Sequence, residues 1–158
     1  MADIIAADAP EFFPMLRELF AEYAELLRGN HAECSVRDVQ DEAATLPGDY
    51  APPGGCLLLA LEGEQPAGCV ALRSLGPGFC EMKRLYVRPA FRGKDIGRQL
   101  AEAVIDEAQR LGYERMRLDT LQTMTAAFKL YQSLGFTPIE PYGRTPADCA
   151  VFMERSLR

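Results

Sequence analysis

The sequence predicts one mixed α/β domain (α+β), spanning residues 1–158, in which helices flank a mixed central β-sheet. Three observations predict this class. The chain has 158 residues, close to the usual size of a single domain. Apolar residues recur at helical spacing in some segments, and short apolar runs between turn residues indicate strands in others. Strands alternate with helices in the second half, as in strand–helix–strand units.

The first third of the chain is predicted to contain one strand and two helices. Residues 3–7 form a short apolar strand. Leucine and aromatic residues recur at helical spacing over 11–28, which predicts an amphipathic helix that Gly29 ends. Pro14 within this stretch indicates a kink or a later start of the helix. A weaker helical pattern covers 35–46, before a long turn rich in proline and glycine.

The rest of the chain completes the order β-α-α-β-β-β-α-β-α-β-β. Apolar runs at 56–61 and 67–75 flank a short polar turn, so we predict a hairpin, followed by a strand over 79–87. A second strong apolar periodicity predicts a helix over 96–111. The remaining predicted elements are a strand over 113–120, a helix over 125–134, and strands over 136–139 and 150–154.

Composition excludes several functional classes. The chain carries 17 basic and 23 acidic side chains, a net charge of −6. A general nucleic-acid binder needs a basic face, so no nucleic-acid partner is expected. No apolar run reaches the ~18–20 residues of a membrane span, and no membrane partner is expected. The first ten residues lack the basic and apolar regions of a signal peptide.

The cysteines and the histidine argue against metal and nucleophile chemistry. The five cysteines are odd in number and none forms a C-x-x-C pair, and His31 is the only histidine. A metal site is therefore not expected, and neither is a Cys–His or Ser–His–Asp enzyme. The cysteines are predicted to be free thiols, buried or half-buried, in a reducing cytoplasm.

The segment 85–100 carries the clearest chemistry. A strand runs into a short basic loop that opens directly into a helix, whose first N–H groups and positive end attract anions. The loop contains three cations and two glycines, which are Arg92, Lys94, Arg98, Gly93 and Gly97. These predict a phosphate or diphosphate site; the alternative is a tight turn with a solvated basic rim. Neither the P-loop nor the Rossmann glycine pattern is present.

Two motifs resemble those of the GNAT superfamily, the acetyl-CoA-dependent N-acyltransferases. The loop Arg92-Gly93-Lys94-Asp95-Ile96-Gly97 resembles the family pattern [QR]-x-x-G-x-[GA]. Residues 127–136 match a second family motif, A-x-x-L-Y-x-x-x-G-F. The motifs cover about residues 56–140, and the element order extends the resemblance to the whole chain. The resemblance implies a GNAT-like domain that transfers the acetyl group of acetyl-CoA, its co-substrate, directly to a primary amine, a small molecule or a peptide, in a ternary complex.

The sequence departs from the family pattern at two positions. Asp95 replaces the middle glycine, and Met124 stands where many members have asparagine. Aspartate is a favoured N-cap and tolerates the left-handed backbone conformation. Its carboxylate repels a diphosphate unless it turns to solvent or pairs with Arg92 or Arg98. We therefore expect acetyl-CoA to bind, less tightly than with glycine at this position.

The resemblance also implies roles for individual residues. Tyr131 would be the general acid that faces the coenzyme sulfur; the alternative is a core aromatic residue. Glu81 would be the general base, unless a water chain deprotonates the amine or Glu81 is a surface residue paired with Lys83. The backbone N–H of Val87 would bind the thioester carbonyl. The implied coenzyme-binding residues are Leu85, Tyr86, Val87, Arg92, Gly93, Lys94, Asp95, Ile96, Gly97, Arg98, Ala127, Phe128 and Tyr131.

The charge distribution bears on the acceptor. Residues 1–64 carry 3 basic and 13 acidic side chains, whereas residues 81–98 carry six basic and two acidic ones. The resemblance implies that the first two helices wall the acceptor site, so a cationic amine is the expected substrate; the alternative is a merely soluble acidic face. The candidate acceptor-site residues are Phe20, Tyr23, Tyr50 and Tyr142. A non-catalytic acyl-CoA-binding module and a homodimer are options that the sequence leaves open.

Overall fold

The computed structural model describes residues 2–30, 33–143 and 150–158, with the side chains of 33 and 34 left out. His31, Cys34 and Cys149 therefore lie outside the described side chains. The helices are α1 (Phe13–Gly29), α2 (Glu33–Ala44), α3 (Ile96–Arg110) and α4 (Thr125–Ser133). The strands are β1 (Asp3–Ala6), β2 (Cys56–Glu62), β3 (Gln65–Gly76), β4 (Phe79–Val87), β5 (Arg115–Leu121), β6 (Thr137–Ile139) and β7 (Ala150–Ser156). This order confirms the predicted mixed α/β class.

The strands form one sheet in the order β1-β2-β3-β4-β5-β7-β6. Neighbouring strands are antiparallel except β4 and β5, which are parallel. Helices α1 and α2 cover one face, where Leu16, Leu19 and Phe20 are fully buried, and α3 and α4 cover the other, where Leu100 and Val104 are fully buried. Each face thus has its own apolar core, because alternate residues of the strands point to opposite sides.

The start of α1 differs from the predicted helix. A short 3-10 turn over Pro10–Phe12 precedes the helix, and Pro14 lies in its first turn. Proline lacks an N–H and fits only where that donor needs no partner. The later start that Pro14 indicated is therefore the arrangement found.

Strands β4 and β5 diverge along their length. They pair only where Phe79–Glu81 lies beside residues 115–117. On its other side β4 pairs with β3 through a bulge, in which Arg84 and Leu85 face the single residue Val70. Arg84 has a left-handed backbone, with φ of 59°. A bulge bends its strand, and the carboxyl end of β4 separates from β5, which leaves a wedge between the two strands.

The described cysteines agree with the predicted thiols. Cys56, Cys69 and Cys80 are free and buried in the core. Burial raises the pKa of each of these thiols to about 12. None of the helices in the described part of the chain has the length and apolar composition that a bilayer crossing requires.

Candidate functional site

A basic groove of ≈ 480 Å³ lies between the loop that precedes α3 and the exposed side of α4. Its walls include Val87 at the end of β4, Arg92, Gly93 and the first turn of α3, and Lys129 and Ser133 of α4. The first N–H groups of a helix have no acceptor within the helix. The groove therefore combines backbone donors with cationic side chains, which suits a phosphate or diphosphate.

Local contacts hold the loop in this shape. Gly93 has a φ of 81°, a conformation that favours glycine, and a Cβ at this position would meet no atom within 4 Å. Arg92 Nε donates to the Val87 carbonyl at 3.0 Å. Arg98 Nη2 donates to Ser133 Oγ at 2.7 Å and so links α3 to α4. The residues of the loop fit the diphosphate of a coenzyme A.

Asp95 behaves only partly as predicted. Its backbone is left-handed, with φ of 68°, and its carboxylate lies 3.8 Å from Arg98 Nε with the side chain 70% exposed. The carboxylate is therefore turned to solvent and paired, as expected. The expected capping hydrogen bond to the helix is not made, because a capping residue needs an extended backbone that Asp95 lacks.

An inner cavity of ≈ 70 Å³ occupies the wedge between β4 and β5. Lys83 and Arg84 of β4, Asp119 and Thr120 of β5, and Tyr131 of α4 line it. The Tyr131 side chain is buried, and an edge-to-face contact with Phe136 at 5.9 Å fixes its ring. Among the residues that the structure describes, none forms a hydrogen bond with its hydroxyl group.

Tyr131 is suited to donate a proton into this cavity. Burial, reinforced by the nearby Tyr23 and Asp119, raises the pKa of Tyr131 above its ordinary value of 10.0. The phenol therefore stays protonated at neutral pH. Its O–H donates no hydrogen bond to the residues that the structure describes. Tyr131 belongs to the core and also lines the inner cavity, and its role as the general acid stays a prediction.

Glu81 lies away from Tyr131, in an outer cavity of ≈ 500 Å³. Its side chain is only 3% exposed. Arg73 Nε donates to its Oε1 at 2.8 Å and the Tyr142 hydroxyl donates to its Oε2 at 2.7 Å. The partner is Arg73 instead of Lys83 because the antiparallel register places Arg73 directly opposite Glu81. A carboxylate with both oxygens engaged is less available as a base, and the base role of Glu81 stays a prediction.

The four candidate acceptor-site residues separate into two pairs. Tyr23 lines the inner cavity and Tyr142 the outer cavity. Phe20 and Tyr50 instead lie in the core beneath α1, in edge-to-face contact at 6.5 Å, and they line neither cavity. Apolar spacing alone could not separate Phe20 from Tyr23, because both aromatic residues lie on the inner side of α1; Tyr50 and Tyr142 lie outside the α-helices.

The predicted coenzyme contacts outside the loop also differ among themselves. Leu85 and Ala127 line the inner cavity, and Val87 lines the basic groove. The Tyr86 side chain packs on the opposite face of the sheet, where its hydroxyl donates to Glu22 at 3.1 Å. Phe128 packs against the core beneath α3. Tyr86 can therefore contact a coenzyme only through its backbone.

Sequence reasoning did not identify four charged residues of the cleft. Lys83 lies 3.5 Å from Asp119, and Arg84 pairs with both carboxylate oxygens of Glu42 at 2.8 and 2.9 Å. Lys83, Arg84 and Asp119 line the inner and the outer cavity alike. The one available signal was the two adjacent basic residues, Lys83 and Arg84, inside the largely apolar strand β4.

Comparisons with known proteins identify relatives of this chain. The family model of the acetyltransferase (GNAT) family matches residues 13–136. An uncharacterized N-acetyltransferase of Schizosaccharomyces pombe is 39% identical over 152 residues, which cover 95% of this chain and 89% of that relative.

Solved structures share the fold. A GNAT acetyltransferase of Staphylococcus aureus Mu50 superposes with a TM-score of 0.80 at 22% identity over the full length of both chains. The PaiA N-acetyltransferase of Thermoplasma acidophilum, solved in complex with coenzyme A, has a TM-score of 0.76 at 18% identity and covers 98% of this chain and 99% of its own.

Proposed function

Since the chain belongs to the acetyltransferase (GNAT) family and is an acyltransferase, we propose that it transfers the acetyl group of acetyl-CoA to a primary amine by direct attack. One observation carries this proposal. The basic groove and the inner cavity follow one another along the same two elements, the end of β4 and α4. An acyl-CoA whose diphosphate lies in the groove can therefore extend its thioester towards Tyr131.

The residues of the wedge have distinct tasks in this reaction. The amine nitrogen bonds to the thioester carbonyl carbon, the carbon–sulfur bond breaks, and the sulfur takes a proton. Tyr131 donates that proton, since its phenol is buried and protonated. The backbone N–H of Val87 polarises the carbonyl oxygen. The proton that the amine loses passes to Glu81 or to a water chain.

The acceptor reaches the wedge through the outer cavity. Six carboxylates and three cations line that cavity, and this negative balance attracts a cationic amine. Asp38 and Asp41 of α2 contribute to the wall of this cavity, whose lining residues include none from α1. We place the enzyme in the cytoplasm, because the free buried thiols suit a reducing compartment.

A turnover assay tests the proposal. Purified protein is incubated with acetyl-CoA and a panel of amines, amino acids and peptides, and both the released thiol and the acetylated product are quantified. We expect thiol release that depends on an amine, with one acetylated amine formed for each coenzyme A released. If no member of the panel is acetylated although calorimetry shows that the coenzyme binds, the protein would instead be a non-catalytic acyl-CoA-binding module.

A further inference from the structure

Lys83 is a buried cation with unused hydrogen-bonding capacity. Its side chain is 8% exposed, and its one ion pair among the described residues is with Asp119 Oδ1 at 3.5 Å, while Glu42 lies close enough to feel its charge. A lysine ammonium carries three donors, and a buried charge is costly unless it is paired and hydrogen-bonded. The ammonium lies at the junction of the inner and outer cavities, where a ligand can supply the missing acceptors.

The guanidinium of Arg84 is a second cation that lines the inner and the outer cavity. Glu42 accepts hydrogen bonds from Nε and Nη2, whereas Nη1 donates none to the residues that the structure describes. Glu42 therefore fixes the plane of the guanidinium and leaves one edge for a ligand. The Arg84 side chain is also 8% exposed, so the two cations are equally buried.

The bulge in β4 brings these two neighbours together. Adjacent residues of a regular strand point to opposite faces of the sheet, yet Lys83 and Arg84 line the same cavities. The extra residue of the bulge and the left-handed backbone of Arg84 turn one of the two side chains to the same side of the sheet as the other. Strained backbone of this kind persists at functional sites, and its result here is a pair of cations beside Tyr131.

We propose that Lys83 and Arg84 bind the carboxylate of the acceptor, which is therefore an α-amino acid with a free amine and a free carboxylate. This inference rests on the proposed acetyl transfer to an amine. Lys83, Arg84 and Asp119 line the inner cavity, which has room for a small head group, and Arg84 offers its free edge while it stays paired with Glu42. The larger outer cavity receives the side chain of the amino acid, and its surplus carboxylates favour a basic or polar one.

Matched acceptors test the inference. The kcat/KM of acetylation is measured for glycine, L-serine and L-lysine and for their primary amides, which keep the α-amine and lack the carboxylate. We expect the best acid to exceed its amide roughly 10–100-fold. Lys83→Met should abolish this preference by raising KM for the acid alone, and Lys83→Arg should retain most of it. Arg110→Gln, at an exposed site on α3, is the control that leaves it unchanged.

The readout is a ratio, so a variant that merely folds poorly lowers acid and amide alike and does not imitate the predicted effect. Equal kcat/KM for acid and amide in the wild type, or an equal loss for both in Lys83→Met, overturns the inference while the proposed function stands. The same pairs are titrated by calorimetry into the protein with coenzyme A bound. Tighter binding of the acid, lost in Lys83→Met, supports the carboxylate site even without turnover, and equal binding of acid and amide overturns it.

Discussion

The basic groove and the cleft formed by the two cavities differ in how the chain builds them. The groove takes most of its charge from one continuous segment, residues 92–98, whose side chains are largely exposed. The cleft is assembled from α1, α2, β3, β4, β5 and α4, and its central cations are buried in pairs with carboxylates. A site built from one segment can bind the coenzyme, which is the same whatever the acceptor. A site built from several elements can vary with the acceptor.

Tyr131→Phe should have the largest effect, because it removes the proton donor from the wedge and leaves the groove intact. We expect kcat to fall roughly 10²–10³-fold with little change in coenzyme affinity. The matched control is Tyr113→Phe, since the Tyr113 hydroxyl donates to the Gly54 carbonyl and lines neither the groove nor the two cavities. Similar kcat values for the two variants would remove Tyr131 from the mechanism. The measurement is steady-state kinetics beside calorimetry of coenzyme A.

Glu42→Gln tests how much the buried ion pair of the cleft contributes to the stability of the fold. It leaves the buried guanidinium of Arg84 without its counter-charge, so the free energy of unfolding should fall by about 2–3 kcal/mol. Glu107→Gln breaks a pair on α3 whose cation, Arg110, is 68% exposed, and it should change stability little because water can solvate the freed guanidinium. Urea denaturation measures both. Equal losses in the two variants would show that the pair in the cleft is no more important than one on the surface.

Asp95→Gly tests the groove in the opposite direction. The carboxylate of Asp95 lies beside the proposed diphosphate site but is exposed and turned towards Arg98. Its removal should tighten coenzyme A binding by a factor of roughly 3 at low salt and leave kcat unchanged. A clear loss of affinity in calorimetry would show that Asp95 contributes to coenzyme binding.

The pH profile of kcat should show no effect of Tyr131 ionisation in the neutral range. Burial raises the pKa of Tyr131 above 10.0, and a general acid is active in its protonated form, so the phenol stays competent up to pH 10. We expect kcat to rise to a plateau as the acceptor amine is deprotonated, with no decline before pH 10. A decline below pH 10 that disappears in Tyr131→Phe would contradict the raised pKa.

The difference between the regions also explains what the sequence could predict. Helices, strands and their order follow from apolar periodicity, and the loop at Arg92 is a contiguous motif that ends in a helix. The pair of Arg84 and Glu42 joins residues 42 positions apart, so no local pattern reveals it. The bulge carries no glycine or proline to mark it, because the left-handed residue is Arg84. The sequence therefore predicted the fold and the loop of the groove, but not the buried cations of the cleft.

The most direct test is a crystal structure of the protein with coenzyme A bound. The account predicts that the diphosphate contacts backbone N–H groups of residues 93–98 in the basic groove, and that the pantetheine runs along β4 into the wedge. The coenzyme sulfur should lie within hydrogen-bonding distance of the Tyr131 hydroxyl. A coenzyme whose sulfur lies outside the wedge, away from Tyr131, would contradict the account.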